Sequence, residues 1–181
     1  MLGLGSFGNP NVFSVSFWFK PELPEERIYT LLDATHQMDV NWTYQYLGAA
    51  AGWCFNHDCV KLSSGVWQHI LLTYNNGIQN YYVNGKLAVS SAYRINYSSA
   101  PLLYLGNWYQ GGRQFAGSID DLYITMDLQQ SADFLPPSEV GATSTNLFGL
   151  WKFSEGTGTQ TKNSAGTPLN LDQWSWSTRT R

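Results

Sequence analysis

The sequence predicts an all-β chain of short antiparallel strands, and three observations carry that prediction. Gly, Ser, Thr and Asn punctuate the chain roughly every eight to twelve residues, the rhythm of short strands and tight turns. Apolar residues recur at every second position in Phe13, Val15, Phe17 and Phe19, with Ser14, Ser16 and Trp18 between them. That is a strand with one face in a core and Trp18 on the other. Asn76-Gly77 and Asn84-Gly85 supply the dipeptides that tight hairpin turns demand. With 181 residues, the chain is long enough to bury a sizeable core within one domain.

The elements follow in order. Residues 1–11 are Gly-rich and hold at most one short strand, after which the strand from Phe13 runs until Pro21 and Pro24 end it. Ile28 to Leu32 forms a second strand, Asp33 to Asp39 a loop, and Trp42, Tyr44 and Tyr46 alternate as a third strand leading into Gly48. Val66 to Tyr74 is a buried strand that turns at Asn75-Asn76-Gly77, returns through Gln79 to Val83 and turns again, which defines a meander. Tyr93 to Ile95, Leu102 to Leu105 and Gly117 to Ile124 complete the predicted strands. Residues 126–146 carry Pro136-Pro137 without regular period and read as a surface connection, with one helical turn expected near Ser131 to Phe134.

The formal net charge of −3 is spread along the chain without any Lys/Arg block, which excludes a nucleic-acid footprint and an anionic membrane surface. No apolar run approaches the ~18 residues of a membrane span, and the N-terminus lacks a basic-then-apolar signal segment. Cys54 and Cys59 flank Phe55-Asn56-His57-Asp58, a spacing that lets two hairpin ends face one another and form a disulfide. The competing reading is two free thiols. A bridge would close a small loop, contribute near the low end of ~2–4 kcal/mol and point to an oxidising, extracellular or cell-surface location. A zinc site that adds His57 and Asp58 fails on ligand count.

Three phrases stand in a fixed order: Phe13-Ser14-Val15-Ser16-Phe17-Trp18-Phe19-Lys20-Pro21; Trp67-Gln68-His69-Ile70-Leu71-Leu72-Thr73-Tyr74, running on to Tyr82-Val83-Asn84-Gly85-Lys86; and Gly117-Ser118-Ile119-Asp120-Asp121-Leu122-Tyr123-Ile124. Together they resemble the concanavalin A-like jelly rolls of the laminin G-like and pentraxin-like kind, over roughly residues 11–125. The resemblance implies a two-sheet antiparallel β-sandwich. The tail phrase Leu147-Phe148-Gly149-Leu150-Trp151-Lys152-Phe153, continuing to Gly158, is similar to the phrase that opens these domains, yet here it closes the chain. Either residues 1–181 form one circularly permuted domain, with 147–181 supplying the displaced opening strand, or 147–181 begin a truncated repeat. Permutation is favoured, because a truncated repeat would leave Leu150, Trp151 and Phe153 exposed.

Aromatic rings stack on the apolar faces of sugars, so Trp42, Tyr44, Tyr46, Trp108 and Tyr109 are candidate ligand residues. Trp108 and Tyr109, with Arg113, lie in a Gly-flanked turn where a core role is less natural; the Trp42 to Tyr46 stripe reads equally as core. The resemblance also implies a structural calcium ion, with Asp120 as one ligand and Glu155 or carbonyls near Gly156 as others; the competing role for Asp120 is a turn cap. Asp33 to Asp39 is a second oxygen-rich stretch. No paired-carboxylate phrase of a glycosidase and no activated Ser or Cys phrase is present, and His69 falls in a strand phrase as a structural position. The expectation is a non-catalytic module that binds carbohydrate or a glycosylated or protein surface, as an adhesin, fibre tip or enzyme appendage. The alternative is a structural or oligomerising domain of a larger extracellular protein, and a polysaccharide-active enzyme ranks third.

Overall fold

A computed structural model describes residues 2–22, 29–34, 39–43, 46–49, 60–92, 94–95, 102–107, 110–129, 132–141, 143–171 and 175–176. They form strands β1 (Leu2–Ser6), β2 (Val12–Pro21), β3 (Tyr29–Ala34), β4 (Asp39–Thr43), β5 (Tyr46–Ala49), β6 (Val60–Lys61) and β7 (Gln68–Asn75). Then come β8 (Ile78–Val83), β9 (Lys86–Ala92), β10 (Leu102–Leu105), β11 (Gly117–Thr125), β12 (Leu147–Trp151), β13 (Gln160–Asn163) and β14 (Gly166–Asn170). One six-stranded sheet has the order β1-β10-β3-β4-β5-β6, the other β12-β11-β2-β7-β8-β9, and β13-β14 is a separate ribbon. Every described pairing is antiparallel.

The two sheets share one core. Leu32, Leu103 and Leu105 of the first sheet cluster with Val15, Phe17, Phe19, Ile70, Leu72 and Leu122 of the second. The alternation read from the sequence thus puts Phe13, Val15, Phe17 and Phe19 inside, each at most 1 % exposed. Each such side chain contributes about 1.5–3 kcal/mol by leaving water. Both Asn-Gly turns take positive φ at both residues (Asn76 48°, Gly77 97°; Asn84 49°, Gly85 78°), the geometry that matches the twist of the strands they join.

Four local expectations change. The Trp42 to Tyr46 stripe is two strands, because the chain reverses after Thr43 and Thr43 pairs with Tyr46. Asp33 and Asp39 are ladder partners in β3 and β4, so they belong to strands that bound a shorter turn. Arg94 and Ile95 lie outside any strand, with the Ile95 amide donating to the Tyr74 hydroxyl at 3.1 Å. The described residues of 126–146 contain no helical turn; Ser131 lies outside the described residues.

The tail is built into the same core. β12 pairs with β11, Leu122 opposite Trp151, and the Trp151 side chain is fully buried. Leu169 and Leu171, from β14 and just after it, join the main cluster, and β14 contacts β1. The first strand of the chain and its last ribbon are therefore neighbours.

Candidate functional site

Strand directions bring the described positions of Trp42 and Tyr46 and the connection that holds Arg113 to one end of the first sheet. Leu105 is level with Leu32, Leu32 with Val40, and Trp42 lies two residues, about 7 Å, further along. The chain leaving β10 after Leu105 runs toward this end, where β4 stops at Thr43 and β5 starts at Tyr46. The 106–116 connection and the β4–β5 turn therefore share it. Trp42 has the strand parity of Val40, the partner of buried Leu32, whereas Tyr46 has the opposite parity, so the two do not fall in one row. Trp108, Tyr109 and Tyr44 lie outside the described residues, as do Cys54 and Cys59.

The 106–116 connection is held at its neck. The Phe115 amide donates to the Gly106 carbonyl at 2.9 Å, and the Glu22 amide to the Ala116 carbonyl at 3.1 Å. Phe115 is buried with its ring 5.4 Å from that of Phe19. Inside the loop, the Arg113 amide donates to Asn107 Oδ1 at 3.0 Å, which leaves the Arg113 side chain half-buried between exposed Gly112 and Gln114. Gly111 and Gly112 have φ of 80° and 81°, and a Cβ at either would meet nothing within 4 Å. Glycine is needed there for backbone conformation, with open space around it. Gln110, Gly112 and Gln114 thus face solvent above a pinned base.

The outer face of the second sheet is covered over its central strands, while Ile78 and Leu87 toward the β9 edge stay exposed. Residues 126–146 cross it as a strap: the Gln129 amide donates to Ser14 Oγ (3.0 Å), which itself donates to the Asp127 carbonyl (2.7 Å). Trp18 Nε1 donates to the Pro137 carbonyl (3.3 Å), and the Phe134 amide to the Gly85 carbonyl (2.8 Å). At Gly85 the backbones are so close that a Cβ would stand 1.9 Å from the Phe134 carbonyl oxygen. Beneath the strap His69 is buried, its Nε2 sharing a 2.9 Å hydrogen bond with Ser16 Oγ, and burial pulls its pKa down to about 4. The strap was legible only as a connection, because most of its anchors are its own backbone groups, which leave no side-chain signature.

The acidic residues are committed within the fold. Asp120 Oδ1 accepts the Asp121 amide at 2.9 Å, the cap-like role that competed with calcium in the sequence. Both oxygens of Glu155 accept from Thr161 Oγ1, at 3.2 and 3.1 Å, and one also accepts the Lys162 amide at 2.8 Å. Among the described residues no three His, Cys, Asp or Glu side chains gather as a metal site. Sequence reasoning passed over Asp121, which is 3 % exposed, with φ 51°, accepting the Val140 amide (3.4 Å) and pairing with Lys152 (3.5 Å). The adjacent Asp-Asp pair was the available signal. Asp133 caps the Leu87 amide (3.0 Å) and pairs with Lys86 (3.0 Å), which holds its carboxyl below the usual range.

The ordered strands and the shared core decide the family, and the model of the concanavalin A-like lectin/glucanases superfamily matches residues 2–130. The chain belongs to this superfamily. No curated protein matches it. Among solved structures, this superfamily member is similar to a candidate carbohydrate-binding protein from Bacteroides ovatus (18 % identity, TM-score 0.67). The likeness covers 93 % of this chain and 56 % of that one, so the chain spans little more than half of that protein's length. It is also similar to a heptameric SAP-like pentraxin from Limulus polyphemus (14 %, TM-score 0.54, covering 71 % and 70 %). A third is domain 4 of AbnA, an extracellular arabinanase of Geobacillus stearothermophilus, in complex with arabinotriose (26 %, TM-score 0.50, covering 65 % and 62 %).

Proposed function

We propose that this concanavalin A-like chain is a non-catalytic carbohydrate-recognition module, one permuted domain whose ligand site is the β10–β11 loop end of the first sheet. The observation that carries the reading is the 106–116 loop, pinned at its neck and exposed at Gln110, Gly112 and Gln114. Trp108 and Tyr109 supply rings for stacking, and Arg113 offers a planar donor fork to hydroxyls or to a sugar carboxylate. The strands that carry Trp42 and Tyr46 reach the same end, and their opposite parity lets at most one of those two rings extend the surface. Domain 4 of the arabinanase, with arabinotriose bound, supports an oligosaccharide as the ligand class. The non-catalytic reading is supported by what the carboxylates already do: Asp121, Asp127, Asp133 and Glu155 each hold a turn, a strap or a backbone amide.

A glycan array that includes arabino-oligosaccharides tests this: the protein retains signal on a subset of glycans. Should the aromatic end instead join copies of the chain, light scattering gives a multiple of the monomer mass and Trp108→Ala lowers it. A calcium ion on Asp120 and Glu155 would use oxygen lone pairs beside those that accept from Thr161 and Lys162. Calcium then raises the melting temperature and chelator lowers it, by an amount set by saturation of the folded state; an unchanged curve leaves both residues as caps. The extracellular placement goes with a Cys54–Cys59 bridge, read by a two-dalton mass increase on reduction.

A further inference from the structure

We infer that His69 is an acid-sensitive latch: while neutral it lets residues 126–146 lie on the outer face of the second sheet, and its protonation releases them. The imidazole sits between two rings, Trp18 at 5.4 Å and 70° and Phe134, from the strap, at 5.8 Å and 83°. Nε2 is satisfied by Ser16 Oγ, whereas Nδ1 is buried with no hydrogen-bond partner among the described residues. The imidazolium carries an N–H on both nitrogens, so protonation adds a charge to an apolar pocket and a donor with no acceptor. Water can reach Nδ1 if Phe134 lifts. That movement breaks a few strap contacts and leaves the β2–β7 ladder whole, so it is cheaper than unfolding the sheet.

The titratable groups on the surrounding elements do not supply a counter-charge. β8 presents Tyr82, whose pKa is raised by burial and by the charge of Asp133 and which stays neutral. Asp133 of the strap and Lys86 of the turn are paired with each other at 3.0 Å. On β2, Lys20 lies one pleat beyond Trp18, and on β11 Asp120 stands on the far side of Trp18 in the ladder. The depressed His69 pKa of about 4 agrees with this geometry. Its folded pKa is below its ordinary value of about 6.5, so the closed strap is favoured above that value and loses this contribution as pH falls toward 4.

The release would expose a face rich in hydroxyls, among them Ser14, Ser16, Thr73 and Tyr123, all buried in this structure. Hydrogen exchange of the whole protein tests it. Between pH 7 and pH 5, after correction for intrinsic rates, the protection of the Phe134 amide falls about twentyfold, the ratio set by a pKa of 4 closed and 6.5 open. Asp127 and Asp133, both shifted downward, stay ionised across that window. A flat profile at Phe134, with loss of protection confined to core amides such as Ile70, would overturn the latch, because the strap would then open without uncovering His69. A folded His69→Gln variant gives the flat profile at Phe134; a variant that keeps the pH dependence moves the effect to another group and also overturns the assignment.

Discussion

The two connections that flank β11 make opposite use of similar materials. Residues 106–116 touch the sandwich at the Gly106–Phe115 neck and present Gln110, Gly112 and Gln114 to solvent. Residues 126–146 are bonded along their length, at Asp127, Gln129, Phe134, Pro137 and Val140. A pinned base that carries solvent-exposed residues suits recognition; attachment throughout suits structure. Substitutions should therefore move stability in the strap and the core, and binding in the loop.

The largest effect is expected in the tail that the strap leads into. Trp151→Ala removes a fully buried side chain and costs about 3–5 kcal/mol, and deleting residues 147–181 leaves no cooperative melting transition. A truncated chain with an unchanged melting curve would make the tail a separate unit. Next comes pH. Because the closed-state pKa of His69 lies below the unfolded one, stability is full above about pH 6.5 and declines as pH falls toward 4, by at most about 3 kcal/mol, the loss ending where strap release lets His69 protonate in the folded chain. Denaturant melts at pH 7 and pH 4.5 measure it, and equal midpoints contradict it.

Smaller effects separate strap from loop more finely. Phe134→Ala, at a half-buried ring, costs about 1–2 kcal/mol in the same melts and leaves sugar binding intact. Gly111→Ala costs about 1 kcal/mol from backbone strain alone, since its Cβ has room. Arg113→Ala stays within about 0.5 kcal/mol in stability; its effect appears in binding.

Much of the fold was readable because its signals are local. Alternation in Phe13 to Phe19 and the Asn-Gly dipeptides each depend on a few neighbouring residues, and each fixed an element. The hairpin at Trp42 to Tyr46 was misread because a two-residue reversal preserves alternation in the sequence while flipping strand parity between Trp42 and Tyr46. The burial of His69 required a partner 65 residues away, Phe134, whose main anchor is a backbone bond to Gly85. Such long-range backbone contacts leave no pattern in a single sequence. At the candidate site, the glycines around Arg113 announced a loop, but only strand order reveals that it shares an end with β4 and β5.

The most direct test of the central claim compares the wild-type protein, Trp108→Ala and Phe134→Ala on one glycan array, at a temperature below all three melting points. The account predicts that wild type and Phe134→Ala recognise the same glycans, while Trp108→Ala loses at least ~1 kcal/mol of affinity and melts like wild type. Full binding by Trp108→Ala, or its collapse in stability with binding kept by the folded fraction, would contradict it and place the ligand surface elsewhere.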